Sequence, residues 1–157
     1  MNTQKNEIAF IDANLADLEL LVAGLRSNVQ PIILRADQSA PEQMARAIAD
    51  RADLAAVHIV AHGQSGEMLF SGGVLSLEAL EEHAEALVAL GLALADDGVV
   101  QLYSCNVAEG QRGQQFVKEL AERIGAHIFA SAGKVGAEAL GGSWHLMADH
   151  NSGQAAS

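Results

Sequence analysis

Residues 54–63 have the sequence LAAVHIVAHG, an unbroken apolar run that ends in a histidine and a glycine. The apolar residues do not alternate with polar ones, which is typical of a strand buried on both faces of a parallel sheet. A second such run, VVQLYS at 99–104, is followed by Cys105, the single cysteine of the chain, and by Asn106. We therefore predict two buried strands, one followed by His62 and the other by Cys105.

Around these two strands, apolar runs of strand length alternate with segments of helical period, which predicts an α/β fold with a mostly parallel sheet of about five to six strands. Strands are predicted at 7–12, 29–35, 54–62, 99–104, 126–131 and 144–148. Helices are predicted from the Asn14 cap to Gly24, and at 39–51, 77–94 and 109–124. Pro31 cannot donate a ladder hydrogen bond, so the second strand is expected at an edge of the sheet.

Residues 63–77 interrupt this alternation. Two short runs, EMLF and VLSL, flank Ser71-Gly72-Gly73, a pattern that predicts a small β-hairpin inserted after the third strand. We expect one domain at 7–149, with a flexible N-terminus at 1–6 and a flexible polar tail at 150–157.

Composition excludes several classes of function. Among 157 residues, half of them hydrophobic, 20 acidic and 9 basic side chains leave a net charge of −11, which disfavours nucleic acid and anionic lipid as partners. No apolar segment approaches the ~20 residues of a membrane helix, and the N-terminus lacks the apolar core of a signal peptide. We expect no membrane insertion, and a cytoplasmic location if the chain stands alone.

The strand ends carry complementary chemistry. In a parallel sheet the carboxyl ends of all strands lie along one edge, and Asp12, His62 and Cys105 each close a predicted strand. An imidazole beside a thiol can take its proton, and the resulting thiolate is the nucleophile. The alternative is structural, because a lone cysteine is often a small buried hydrophobe and a histidine-glycine pair is often a turn.

The remaining histidines indicate no metal site. His58 lies four positions before His62 and is expected to pack, although a histidine pair can bind a metal. Zinc needs further converging ligands, and neither CxxC nor HExxH spacing is present. His83 stands among glutamates on a predicted helix and is expected on a solvated face. We expect no metal and no cofactor.

The sequence resembles known groups of proteins. A histidine-glycine pair that ends one central strand and a cysteine that ends the next is similar to the caspase-like cysteine peptidases, which include caspases, legumains, gingipains, clostripain and the self-processing domains of RTX toxins. FIDANLADLELLVAGL, HIVAHGQSGEMLFSGGVLSLEAL, LYSCNVAEGQRGQQFVKELAERIGAHIFAS and ALGGSWHLM more closely resemble an uncharacterised bacterial domain family. Its members are found near the N-terminus of giant exported surface proteins, adhesins with cadherin-like or RTX repeats.

The caspase-like resemblance implies a three-layer αβα sandwich and assigns roles at the strand ends. Cys105 would be the nucleophile, and His62 would stabilise the thiolate or protonate the leaving amine. The backbone N–H groups of Gly63 and Cys105 would stabilise the oxyanion of the tetrahedral intermediate.

The same resemblance implies where substrate would bind. Asp12 and Asp17 follow the first strand, where caspase-like folds line the pocket for the side chain before the cleaved bond, and a carboxylate there favours Arg or Lys. Equally, Asp12 can orient the first helix together with Asn14. Ser104 and Asn106 flank the cysteine and either position substrate or satisfy local backbone groups.

Two functions are consistent with these residues. The first is a cysteine endopeptidase that acts on a polypeptide substrate or on a cleavage site in cis, within a large exported bacterial surface protein. The second is a non-catalytic module of the same fold that serves anchoring or protein–protein binding at the N-terminus of an adhesin. Both imply a cell-surface or exported location.

Overall fold

A computed structural model describes residues 6–15, 18–23, 25, 27–104 and 106–130, without the side chains of Leu20 and Leu21. In chain order the strands are β1 (Glu7–Asp12), β2 (Val29–Leu34), β3 (Leu54–Val60), β4 (His62–Gln64), β5 (Glu67–Phe70), β6 (Gly73–Ser76), β7 (Leu94–Tyr103) and β8 (His127–Ala130). The helices are α1 (Leu18–Ala23), α2 (Ala40–Ala47), α3 (Ala84–Leu92) and α4 (Gly110–Ile124). The strand predicted at 144–148, the polar tail and residues 1–5 lie outside the described residues.

Within the described residues, five strands form a parallel sheet in the order β2-β1-β3-β7-β8. The predicted α/β class with a mostly parallel sheet is confirmed, and Pro31 lies in the edge strand β2, where its missing N–H costs no central ladder bond. The chain moves outward from β1 to β2, then crosses back to β3. The direction of winding therefore reverses between β1 and β3, and in open α/β sheets ligands bind at the carboxyl ends of the strands at such a point.

The alternating residues of the strands supply two cores, one on each face of the sheet. The larger core joins Phe10, Ile59 and Leu102 to buried residues of three helices, which are Met44 of α2, Leu87 and Leu90 of α3, and Phe116 and Leu120 of α4. On the opposite face, Ile11, Val60 and Tyr103 pack with Leu18 and Val22 of α1. Helices thus cover both faces, which gives a three-layer arrangement.

The predicted insertion after β3 is present and is larger than a hairpin. The strands β4, β5 and β6 form a separate three-stranded antiparallel sheet. The third strand was predicted to run through 62, but β3 ends at Val60, because His62 pairs with Leu69 and so belongs to the second sheet. This small sheet extends beyond the carboxyl edge of the parallel sheet.

Three other predicted boundaries were wrong. The helix expected at 77–94 consists of two 3₁₀ turns, Leu77–Ala79 and Glu81–His83, followed by α3, and the fully buried Leu80 lies between the two turns. The fourth strand begins at Leu94 instead of 99, because Leu94 already pairs with Leu54, and the turn predicted at Asp96-Asp97-Gly98 is a shift of register within β7. Helix α2 ends at Ala47, four residues early.

Candidate functional site

The carboxyl ends of β3 and β7 are held in register. Val60 is paired with Tyr103, and the N–H of Ala61 donates to the carbonyl oxygen of Tyr103 over 3.3 Å. His62 follows Val60 by two positions, and Cys105 follows Tyr103 by the same number. Cys105 itself lies outside the described residues, so the site is defined here by the residues around it.

The turn that follows His62 is bonded to the loop that follows Cys105. The N–H of Gly66 donates to the carbonyl oxygen of Val107 at 3.0 Å, and the Ser65 hydroxyl donates to the carbonyl oxygen of Glu109 at 2.6 Å. Together with the Ala61–Tyr103 bond, these contacts join the segments on both sides of His62 to the segments on both sides of Cys105.

The imidazole of His62 is exposed and oriented by the loop after β1. Its Nε2 lies 3.4 Å from the carbonyl oxygen of Asn14. A carbonyl oxygen can only accept, so this bond requires the proton on Nε2 and leaves the Nδ1 lone pair of a neutral ring able to take a proton. His62 therefore lies at the crevice between β1 and β3, where the winding of the sheet reverses.

Gly63 lies in β4, opposite Met68. Gln64 and Glu67 close the two-residue β4–β5 turn, so their pair carries the turn hydrogen bond. Because hydrogen-bonded and non-hydrogen-bonded pairs alternate along an antiparallel ladder, Gly63 and Met68 form a non-hydrogen-bonded pair, and the N–H of Gly63 points away from β5. This geometry is compatible with the predicted oxyanion role, which stays a prediction.

Asp12 is fully buried at the end of β1, and its carboxylate accepts three hydrogen bonds. The backbone N–H of Ser71 donates to Oδ1 at 2.8 Å, and the Ser71 hydroxyl donates to Oδ2 at 2.7 Å. The N–H of Asn14 also donates to Oδ2, at 3.3 Å. The carboxylate thus joins the β5–β6 turn to the loop after β1. Its predicted contact with substrate stays a prediction, and Asp17 lies outside the described residues.

Ser104 and Asn106 flank the position of the cysteine. Ser104 is fully buried, and its Oγ has no hydrogen-bond partner in the described part of the chain. Asn106 has a φ of 57°, the left-handed region, and its carbonyl oxygen accepts from the N–H of Glu109 at 3.0 Å. The chain therefore turns sharply between β7 and α4, and asparagine tolerates that conformation better than most residues.

We expect Asn106→Gly to keep the stability of the domain and Asn106→Val to lower it by about 1–2 kcal/mol, because a β-branched side chain clashes with the backbone at positive φ. The free energy of unfolding in urea measures both changes. If the Asn106 side chain itself contacted substrate, the glycine variant would lose that contact while staying folded. Equal stability of the two variants would contradict the conformational role.

Arg112, in the first turn of α4, bonds to the inserted sheet and to the 3₁₀ turn that follows it. Its guanidinium bonds to Glu78, with one contact of 2.8 Å, to Glu67 of β5 at 3.1 Å and to the carbonyl oxygen of Ser65 at 3.2 Å. Gly66 leaves room for it, since a Cβ there would lie 2.5 Å from Cγ of Arg112. Hydrogen bonds from Arg112 lower the pKa of Glu78 to about 2, and Glu78 in turn raises the pKa of Arg112.

The Glu78–Arg112 pair should stabilise the domain only above acidic pH. The pKa of Glu78 is lower in the folded state than its ordinary value of 4.5, so the extra stability is complete above about pH 4.5 and is lost as the pH falls through about 2. We expect the difference in unfolding free energy between the wild type and Glu78→Gln to shrink over that range. A difference that is the same at pH 7 and pH 2.5 would contradict this assignment.

The other histidines lie in structural contacts. His58 is buried as predicted, with Nε2 2.8 Å from Oε1 of Glu7 and its ring stacked on Tyr103. The prediction of a solvated His83 was wrong, because its Nδ1 donates to Glu42 of α2 at 2.9 Å. Although desolvation raises the pKa of Glu42, hydrogen bonds from His83 and Ser39 outweigh it and leave that pKa lowered. Across the described residues, no three His, Cys, Asp or Glu side chains are grouped to hold a metal ion.

Three contributors to the site were missed by the sequence analysis. The acceptor for His62 is a backbone carbonyl, which any residue type at position 14 would provide. Ser71 stands beside Gly72-Gly73, and its turn was predicted without its bonds to Asp12. Arg112 lies in an ordinary amphipathic helix, and its contacts with the β4–β5 turn at Ser65 and Gly66 depend on the tertiary fold.

Comparison with known proteins places the chain in a family. Residues 8–157 match the family described as Domain of unknown function (DUF4347). The chain belongs to this family. No curated protein and no solved structure matches it. DUF4347 is an uncharacterised family, and membership of it agrees with the resemblance of the sequence to an uncharacterised domain family. In the described ranges, no helix is long and apolar enough to cross a membrane.

Proposed function

We propose that this DUF4347 domain is a cysteine endopeptidase with Cys105 as nucleophile and His62 as its partner. The observation that carries the proposal is the set of hydrogen bonds that joins the residues around His62 to those around Cys105, at the carboxyl edge of the sheet. That edge is where α/β folds of this winding carry out their chemistry. The exposure of His62 adds to this support, because a reactive imidazole must be reachable by substrate.

In the proposed chemistry His62 carries out two proton transfers during acylation, and hydrolysis follows. Nδ1 of His62 takes the thiol proton, and the thiolate attacks the carbonyl carbon of the scissile bond. The Gly63 N–H, directed away from β5, donates to the developing oxyanion. The protonated imidazole then gives its proton to the leaving amine, and water hydrolyses the thioester to regenerate the thiol.

The proposed substrate is a polypeptide segment, with cleavage in cis as the simplest case. The resemblance to domains of exported adhesins supports a cleavage site within a larger surface protein. The net charge of −11 supports substrates with a basic side chain before the cleaved bond, by charge complementarity.

Peptidyl electrophiles test this function directly. Peptides that carry Arg, Asp or Leu before a chloromethyl ketone should label wild-type protein at Cys105, faster than iodoacetamide at equal concentration after correction for the intrinsic reactivity of each reagent with free cysteine. Cys105→Ala should show no labelling by mass spectrometry. If none of the three peptides reacts faster than that corrected rate, the thiol has no substrate site and the peptidase proposal fails.

A non-catalytic binding module is the second candidate, and the surface of α3 favours it. Val88 and Leu92 lie one helical turn apart on the same face of α3, and they are 49% and 72% exposed. Exposed apolar side chains of this size on one helix face are a feature of binding surfaces. Failure of the labelling test would leave this candidate as the better supported one.

A further inference from the structure

The buried carboxylate of Asp12 contacts both parts of the molecule that hold His62. Its Oδ1 and Oδ2 accept from Ser71, which belongs to the inserted sheet that begins with His62. Its Oδ2 also accepts from the N–H of Asn14, the residue whose carbonyl oxygen lies 3.4 Å from Nε2 of His62. Asp12 is 0% exposed, so no substrate side chain reaches it in this conformation.

We propose that Asp12 is a positioning residue that fixes the orientation and tautomer of His62. Its hydrogen bonds to Ser71 hold the inserted sheet in position. Its hydrogen bond to the N–H of Asn14 holds in position the carbonyl oxygen that accepts from His62. This inference rests on the proposed function for its catalytic meaning. It assigns Asp12 a different role from the substrate contact that the family resemblance implies.

The chemistry of the carboxylate explains why an acid is needed at this position. All three groups that face it are donors, and an ionised carboxylate is an acceptor at both oxygens. In Asp12→Asn, the amide oxygen can still accept from the Ser71 N–H. The amide NH₂ then faces the Asn14 N–H, donor against donor, while the Ser71 hydroxyl can rotate to accept. The substitution therefore removes the Asn14 bond selectively.

The first test follows the imidazole itself. Proton–nitrogen correlation spectra of ¹⁵N-histidine-labelled Cys105→Ala protein at pH 9, where no thiolate holds the ring as imidazolium, should show His62 as one neutral tautomer with the proton on Nε2. The His62 signals are assigned by their loss in His62→Ala, and Asp12→Asn in the same Cys105→Ala background should show a mixture of both tautomers. Asp97→Asn, which changes an exposed carboxylate where the register of β7 shifts, is the matched control and should leave the spectrum unchanged.

The second test separates positioning from substrate contact. With the Arg and Leu chloromethyl ketones, Asp12→Asn should lower the maximal inactivation rate kinact by about 10- to 100-fold for both peptides and leave KI unchanged. A carboxylate that contacts substrate would instead raise KI for the Arg peptide alone. That result, with an unchanged His62 tautomer, would overturn the proposal.

Ser71 supplies a second pair of variants if Asp12→Asn does not fold. Ser71→Ala deletes the hydroxyl bond to Oδ2 and should lower kinact in the same direction by a smaller factor, whereas Ser71→Thr keeps the hydroxyl and should restore it. If wild-type protein is not labelled by any peptide, the proposed function fails and the tautomer of His62 alone decides the role of Asp12. An unchanged tautomer in every folded variant overturns it.

Discussion

Replacement of His62 by alanine should slow alkylation of Cys105 at pH 7 by about 10- to 30-fold. An ordinary thiol has a pKa of about 8.5, so only about 3% of it is thiolate at pH 7. An imidazolium partner shifts that balance to the thiolate, and its loss returns the fraction to the ordinary value. Mass spectrometry after timed exposure to iodoacetamide measures the rate without any need for substrate recognition.

The pH dependence of this effect distinguishes an electrostatic partner from a structural one. In His62→Ala the rate should rise about tenfold per pH unit up to about 8.5 and reach the wild-type rate above it, since the thiol then ionises unaided. His127→Ala is the matched control, because His127 is also exposed but is the first residue of β8. It therefore lies at the amino ends of the parallel strands, away from His62. Equal rates for His62→Ala and wild type at pH 7 would contradict a dyad.

Replacement of Phe10 by alanine should lower the free energy of unfolding by about 3–5 kcal/mol, the range for a buried phenylalanine truncated to alanine. Phe10 is 0% exposed and lies in β1, between β2 and β3, within the larger of the two cores. The loss combines transfer of the ring to water with the cavity it leaves. Urea unfolding at pH 7 measures it.

Phe129→Ala is the control for that measurement, because Phe129 is only half-buried on β8. Its truncation should cost less, since part of the ring already contacts solvent in the folded state. Equal losses of stability in the two alanine variants would contradict the assignment of Phe10 to the interior of the larger core.

The sheet was predictable because its strands leave a strong signal. EIAFID, LAAVHIVAH and VVQLYS are apolar runs of the correct length, and their residues occupy both faces of a covered sheet. The glycine pair at 72–73 indicated the inserted turn for a similar reason, since few other residues allow it. The location of His62 and of the segments that flank Cys105 at one edge follows from parallel pairing alone.

The details of the site were less predictable because they depend on atoms without a residue signature. The carbonyl oxygens of Asn14, Val107 and Glu109 would be present with any side chain. The bond from His83 to Glu42 joins residues 41 positions apart, and its local sequence of glutamates suggested solvent instead. Strand β7 begins early because Leu94 pairs with Leu54. The local sequence Asp96-Asp97-Gly98 instead predicts a turn and a later start of the strand.

The pairing of β3 with β7 also bears on synthesis of the chain. Until residues beyond 94 leave the ribosome, β3 has β1 on one side and no strand on the other, so an apolar strand presents its free backbone groups to any neighbouring chain. Chaperone dependence should therefore be greatest for nascent chains that end between β3 and β7. Fusions truncated in α3 should aggregate, while those extended past Ala130, which also contain α4 and β8, should not.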